Sequence, residues 1–342
     1  MIPQSSVIKG LEWTGPRIPY ANREIKGDTY PLTWADDGEI YTAAGDPCWG
    51  ASHSGLDVEK ITGGPTDYVI EQRNALTDYT GWGGHGPKPS GMICVNGVLY
   101  LAFQNILRGR MPAHGLLSQH GSDAQIVYSS TKGQFWTPAL ANIATPMFPG
   151  NHFGGPAFIN FGQNNAGARD QYVYAVSGDQ WDNGSNLRLG RVSADRIMEA
   201  GQWEFVCAFN PDGTPAWQRA LGEAIPVFSL HRQLGLPEMV WLAGIRRYLL
   251  FTWTLHGDFD PTLGTDLHVF EAPEPWGPFS HVYSEELWEG REYNPYCPRL
   301  PLKWVAADGV NLWLQFSGAW SEQGHREGFY RSNVRPFKLL LK

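Results

Sequence analysis

One pattern recurs five times along this chain, and it constrains the fold more than any other feature. A short apolar strand runs into a turn, and a second strand returns with an aromatic residue near its start. The copies read YPLTWA, Asp36-Asp37-Gly38, EIYTAAGD; KPSGMICV, Asn96-Gly97, VLYLAFQN; GPAFINFG, a longer loop through Arg169-Asp170, QYVYAVSGD; PEMVWLAG, Ile245-Arg246, RYLLFTWTLHGD; and LPLKWVAA, Asp308-Gly309, VNLWLQFSG. Three of the five turns are Asp-Gly or Asn-Gly between apolar runs, which predicts type I′ hairpins with φ > 0 at both central residues. The hairpins begin near residues 30, 88, 155, 237 and 300, and each interval holds one four-stranded blade. Their first strands are apolar on both faces, as strands packed on two sides should be. The pattern predicts an all-β chain, a five-bladed β-propeller, with residues 1–342 as a single domain.

Further strands fill the intervals. QIVYSS near 125, NLRLGRV near 186, DLHVFEAP near 266 and GFYRSNV near 328 read as third strands, and WEFVCAF near 203 as a fourth. SADRIMEA at 193–200 reads as a short helix. IKGLEW near the N-terminus or FKLLLK at the C-terminus is expected to close the ring.

Composition narrows the function classes. The formal charge is −8 with no Lys/Arg run. A nucleic-acid partner is therefore not expected, because backbone binding needs a basic stripe. Charged residues make up 18% and mean hydropathy is −0.32, which excludes disorder and membrane embedding. Cys48, Cys94, Cys207 and Cys297 form no C-x-x-C pair and are expected to be free thiols. The first residues carry no basic and apolar leader pattern, and an extracytoplasmic site is expected if a leader has been removed. A monomer is expected. Asn183-Gly184-Ser185 fits a glycosylation sequon. Gly81 to Gly86 formally match a dinucleotide-binding glycine pattern, but Pro87 and Pro89 follow and no helix can begin there to receive a phosphate. No cofactor is implied, although a structural calcium ion on the propeller axis is compatible with the reading.

Hairpin geometry points to a site. The residue before strand one and the residue after strand two share one end of each hairpin. In the first hairpin these are Asp28 and Asp46, equidistant from Asp37. Two carboxylates meeting at a strand end can divide acid and base roles in glycoside hydrolysis. Mutual repulsion and burial would keep one of them protonated near neutral pH. Equivalent ends in other blades carry Lys88, Asn105, His152, Asp179, Glu238, Trp253, Lys303 and Ser317. With Trp34, Trp49, His53, Trp82 and Trp181 close by in sequence, they suit a sugar, whose ring faces stack on aromatics and whose hydroxyls need paired hydrogen bonds. The expected substrate-binding set is Trp34, Trp49, His53, Trp82, Lys88, Asn105, His152, Asp179, Trp253 and Lys303. Asp36, Asp37 and Asp308 are read as turn residues.

The segment GDTYPLTWADDGEIYTAAGD resembles the domain-of-unknown-function family 4185, part of which is classed as glycoside hydrolase family 183, the endo-D-arabinanases. FGGPAFINFG, AGARDQYVYAVSGD, EAPEPWGPF and PLKWVAADGVNLWLQFSG extend the resemblance over residues 27 to 333. The resemblance implies a five-bladed propeller and hydrolysis of arabinofuranosidic linkages by two aspartates, which fall by position on Asp28 and Asp46, with inversion at the anomeric carbon. PCWGASHSG after Asp46 departs from the family's more glycine-rich stretch. Two other readings stay open. One is a polysaccharide lyase with His152 or His231 as base and a cation against a uronate; the other is a carbohydrate-binding propeller without catalysis.

Overall fold

The structure, a computed structural model, describes residues 2–77, 86–107, 121–257, 263–291, 293–318 and 330–342. The described strands form five antiparallel sheets, the five blades of a propeller. In blade one, Ile40–Trp49 pairs on one side with Ile25–Asp28 and Leu32–Trp34 and on the other with Leu56–Thr62, followed by Val69–Thr77. Blade two is Lys88–Val95, Val98–Gln104 and Gln125–Ser129. Blade three runs Ala157–Phe158, Tyr172–Gly178, Gly184–Ser193, Glu204–Phe209 and Pro215–Gln218, with Phe228–Leu234 added beside Gly184–Ser193. Blade four is Glu238–Leu242, Arg247–Leu255, Thr265–Ala272 and Ser280–Glu285. Blade five orders Tyr296–Arg299, Asn311–Gly318, Arg331–Leu341 and then Ile8–Trp13.

The ring closes through both termini at once. Ile8–Trp13 supplies the outer strand of the blade whose inner strands come from the C-terminus, with Leu11 opposite Leu339 and Trp13 opposite Phe337. Joining first and last segments in one sheet removes the free edges that an open ring would leave.

Three local readings differ from the sequence expectation. Only Asn96-Gly97 has both central residues at positive φ (51° and 78°); in the Asp-Gly turns the glycine alone does, Gly38 at 84° and Gly309 at 70°. Asp37 and Asp308 instead brace their turns by accepting from the backbone N–H groups of Glu39 and of Val310 and Asn311. PLKW is not the inner strand of blade five: Leu302–Trp304 is a single 3₁₀ turn, and the strand lies earlier, at Tyr296–Arg299. SADRIMEA is the strand end and turns preceding the 3₁₀ turn Ala200–Gln202, because Trp203 is drawn into the core and donates to the Ile197 carbonyl.

Buried polar side chains tie the blades at the axis. Asn160 sits at mid-height, where Nδ2 donates to the carbonyls of Leu32 (3.3 Å), Met92 (3.1 Å) and Phe158 (3.4 Å) and Oδ1 accepts from Thr33 (2.7 Å). The amide already takes these carbonyls at this level of the axis. Among the described residues no group of three or more His, Cys, Asp or Glu side chains is arranged to hold a metal ion. All four cysteines are free, and Cys207 alone is not fully buried.

Candidate active site

Blade one builds the site with a kink. The ladder pairs Leu32 with Thr42 and Lys26 with Cys48, but between them the register slips and Asp28 lies opposite Gly45, not Asp46. Thr29 and Tyr30 absorb the slip at φ of 61° and 41°, uncommon for such residues. Arg299, fully buried, holds this bend from blade five: Nε donates to the Thr29 carbonyl (2.8 Å) and Nη1 to the Pro237 carbonyl (2.9 Å) and Glu238 Oε2 (3.1 Å). One guanidinium thus fixes blades one, four and five beside Asp28.

Asp28 and Asp46 still converge. Tyr330, immediately before the third strand of blade five, places its hydroxyl 3.0 Å from Asp28 Oδ2 and 3.2 Å from Asp46 Oδ2. Tyr296 donates a second hydroxyl to Asp28 Oδ2 at 3.0 Å. Lys88, the first residue of blade two and itself buried, makes an ion pair with Asp46 Oδ1. Asp28 Oδ1 has no hydrogen-bond partner among the described residues.

This asymmetry separates the two carboxyls chemically. Burial, reinforced by the Asp46 charge, pushes the Asp28 carboxyl up to about 7; Lys88 and the two tyrosine hydroxyls oppose this only in part. With both tyrosines directed at Oδ2, the proton belongs on Oδ1. Asp46 has the ammonium group of Lys88 against it, which favours its ionised form. Burial and the adjacent acidic groups hold both tyrosines well above the usual phenol range, so they remain donors.

The surroundings are apolar on one side and polar on the other. Trp181, Trp253 and Tyr296 pack edge-on or tilted, with centroids 4.9 to 5.7 Å apart, and desolvate Asp28. Buried polar atoms without a partner among the described residues come from every blade: Asp28 Oδ1, the whole Gln104 amide, Asn105 Nδ2, Gln180 Oε1, Trp181 Nε1, Glu238 Oε1 and Ser317 Oγ. Such atoms are costly unless a ligand or water meets them.

The other sequence-predicted residues scatter. Lys88 contacts the pair, Asn105 follows Gln104 at the same end, and Trp253 is buried in the aromatic wall. Trp34 and Lys303 are corrections: Trp34 donates to the Gly38 carbonyl and Lys303 pairs with Glu39, both at the opposite mouth, because Trp34 adjoins the hairpin turn and 302–304 is not a strand. His152 turns toward the Leu221 carbonyl on the outer part of blade three. Asp179 is spent on its own loop, accepting from Ser185 N, Asn186 N and Asn186 Nδ2. Trp49 donates to Asp57 and packs at the junction of blades five and one, and His53 contacts the Cys48 thiol on the rim. Trp82 lies outside the described residues. Tyr296, Tyr330, Gln104 and Arg299 were missed. Tyr330 precedes a strand at φ 48° and Tyr296 lies in a proline-flanked run, so neither occupies a hairpin-end position that the repeat would reveal.

No protein-family profile matches the chain, and no curated protein does. Solved structures match the fold over nearly its whole length. A hydrolase from Bacteroides ovatus, assigned only provisionally, aligns with TM-score 0.56 and 15% identity over 96% of this chain and 86% of its own. The α-L-arabinofuranosidase of Podospora anserina, solved with cellotriose, aligns with TM-score 0.53 and 13% identity over 98% of each chain. A xylan β-1,4-xylosidase from Bacillus halodurans aligns with TM-score 0.56 and 12% identity over 94% of this chain and 54% of that one.

Proposed function

We propose that the chain is a glycoside hydrolase acting at the Asp28–Asp46 site on an oligo- or polysaccharide, with arabinofuranosidic linkages as the first substrates to test. The observation that carries the reading is the Asp28–Tyr330–Asp46 bridge, in which one carboxyl is raised to about 7 and the other is ion-paired to Lys88. Asp28 Oδ1 donates its proton to the glycosidic oxygen, and Asp46 supplies the negative charge for the anomeric centre. The unpartnered polar atoms from all five blades match the hydroxyls of a sugar, and the aromatic wall matches its apolar face. Two of the similar structures are named for action on pentose-bearing glycans, which supports the same choice.

The family resemblance implies inversion, with Asp46 activating a water on the face opposite the leaving group, and the configuration of the first released anomer tests it. A lyase reading is weaker, since His152 faces Leu221 and His231 lies on the flank between blades three and four.

The test is a reducing-end and ultraviolet-absorbance screen on arabinans, galactans and uronate-bearing glycans, followed by Asp28→Asn and Asp46→Asn. New reducing ends without an unsaturated product, lost in both variants, are expected. Near-normal rates in both variants would remove the assignment.

A further inference from the structure

A second groove runs along the flank between blades three and four, lined by none of the side chains that contact the Asp28–Asp46 pair. Its two walls come from strand alternation. Ser229, His231 and Gln233 share one face of Phe228–Leu234, and Asp266, His268 and Phe270 share one face of Thr265–Ala272. They line a cavity of about 580 Å³ that Ser284 and His281 complete from the outer strand. A second cavity of about 370 Å³ shares His231, Gln233 and Asp266 and continues to His256. The combined space is of ligand size.

Behind the groove lies a hydrogen-bonded relay. Gln4 Nε2 is 3.0 Å from His281 Nδ1, His281 Nε2 is 2.9 Å from Ser284 Oγ, and Ser284 Oγ is 2.9 Å from His268 Nδ1. The relay ends on His268 Nε2, buried within this cavity lining and without a partner among the described residues. Both directions of proton order are available. With the Gln4 amide donating, His268 Nε2 carries a proton and is a donor; with Gln4 Oε1, 3.3 Å from the same ring nitrogen, accepting, the chain reverses and His268 Nε2 becomes an acceptor.

We propose that this groove binds a neutral saccharide, with His268 Nε2 meeting a sugar hydroxyl. A hydroxyl is both donor and acceptor, so it suits a terminus that can be either. Burial holds the His268 ring down to about 4, so it is uncharged at neutral pH. Among the described residues no Lys or Arg lines the larger cavity, where Asp266 and Glu286 would repel an anionic glycan, and Arg232 borders only the smaller one. Asp266 is already occupied by His256 Nδ1 and the Leu287 N–H, both at 2.8 Å, which counts against a cationic ligand. Half-buried Leu230 and Ile2 supply apolar surface for a ring face. The inference does not require hydrolysis at the Asp28–Asp46 site.

The test uses the full chain with Asp28→Asn, so that turnover cannot consume the probe. Xylotriose and arabinotriose are titrated while the imidazole nitrogen signals of His268 are followed by NMR, with a galacturonate trimer and a chitosan trimer as charged controls. A neutral trisaccharide should shift the His268 Nε2 signal, and His231→Ala with Gln233→Ala, both exposed, should weaken that response at least tenfold. In the otherwise native chain the same pair should leave hydrolysis of a small soluble glycoside unchanged. The inference is overturned if neither neutral trisaccharide moves the signal, if only a charged trimer does, or if the paired substitution leaves the apparent affinity as it was. Loss of activity in the aspartate variants is read separately, so the two proposals fail independently.

Discussion

The Asp28 carboxyl lies across the backbone of Gly45: a β-carbon at position 45 would collide with Asp28 Oδ1 and stand 3.4 Å from Lys88 Cδ. Asp28 cannot swing aside, because both tyrosine bonds fix its other oxygen. Gly45→Ala should therefore displace the proton-donating atom and lower kcat about 10²-fold or more, the usual scale for misplacing a catalytic group, while the propeller still folds. A kcat within twofold of the parent would show that the position of Oδ1 does not matter.

Tyr330→Phe removes one of the donors that hold the Asp28 carboxyl down. Its raised value should rise further, and the alkaline limb of kcat/KM, which reports loss of the Asp28 proton in the free protein, should move to higher pH. Activity should also fall, because the bridge to Asp46 is lost. A pH profile that drops in height without moving would mean that Tyr330 only supports the fold.

Stability should fall between about pH 4 and pH 7. Asp28, Asp57 and Glu238 are each raised by burial to about 7 in the folded protein. In that window these three carboxyls bind more protons in the folded chain than in the unfolded one, and they outnumber the lowered His268 and His281, which act in the opposite direction, so stability declines as pH rises and the carboxyl contribution is fully present only below the unfolded carboxylate pKa. Thermal melts should give a higher Tm at pH 5 than at pH 8, and Asp57→Asn should flatten the slope. A Tm that climbs over that interval contradicts the assignment.

These groups mark the boundary of what sequence can reveal. The five hairpins were legible because each packs its own apolar strands around its own turn, a local and periodic signal. Asp28 and Asp46 were legible for the same reason, as two ends of one hairpin. The equal-distance rule still misplaced their pairing by one residue, since Thr29 and Tyr30 adopt positive φ under the hold of Arg299, 270 residues away. Tyr296 and Tyr330 reach the pair only through ring closure, which no local pattern encodes. Trp34 and Lys303 carried suitable chemistry but sit at the other mouth, where type and proximity in sequence give no direction.

Arg299→Met should leave the buried Glu238 carboxyl without its cation, pushed further above about 7, and the Thr29 and Pro237 carbonyls without a donor. Breaking such a pair from one side costs about 3–5 kcal/mol, measurable by denaturant unfolding. The double change Arg299→Met with Glu238→Leu should recover part of that loss, because two apolar side chains leave no buried charge. No recovery would mean that the carbonyl bonds, not the ion pair, dominate.

Asn160 offers a sharper test of the axis, because two small substitutions there should be ordered by electrostatics and not by size. Asn160→Ala deletes the amide and leaves the Thr33 hydroxyl proton without its acceptor and three carbonyls without this donor, at about 1–3 kcal/mol for each group that stays buried and unsatisfied, while Thr33 Oγ1 still accepts from the Cys94 N–H. Asn160→Asp keeps the shape and the acceptor for Thr33 but turns an oxygen toward the carbonyls of Leu32, Met92 and Phe158, where a donor stood. A carboxylate there is repelled by three dipoles and buried besides, so the variant should be less stable than Asn160→Ala above pH 6 and should regain stability on acidification, when the protonated acid can donate again. If Asn160→Asp is as stable as the parent at neutral pH, the amide is not what joins the blades at their centre.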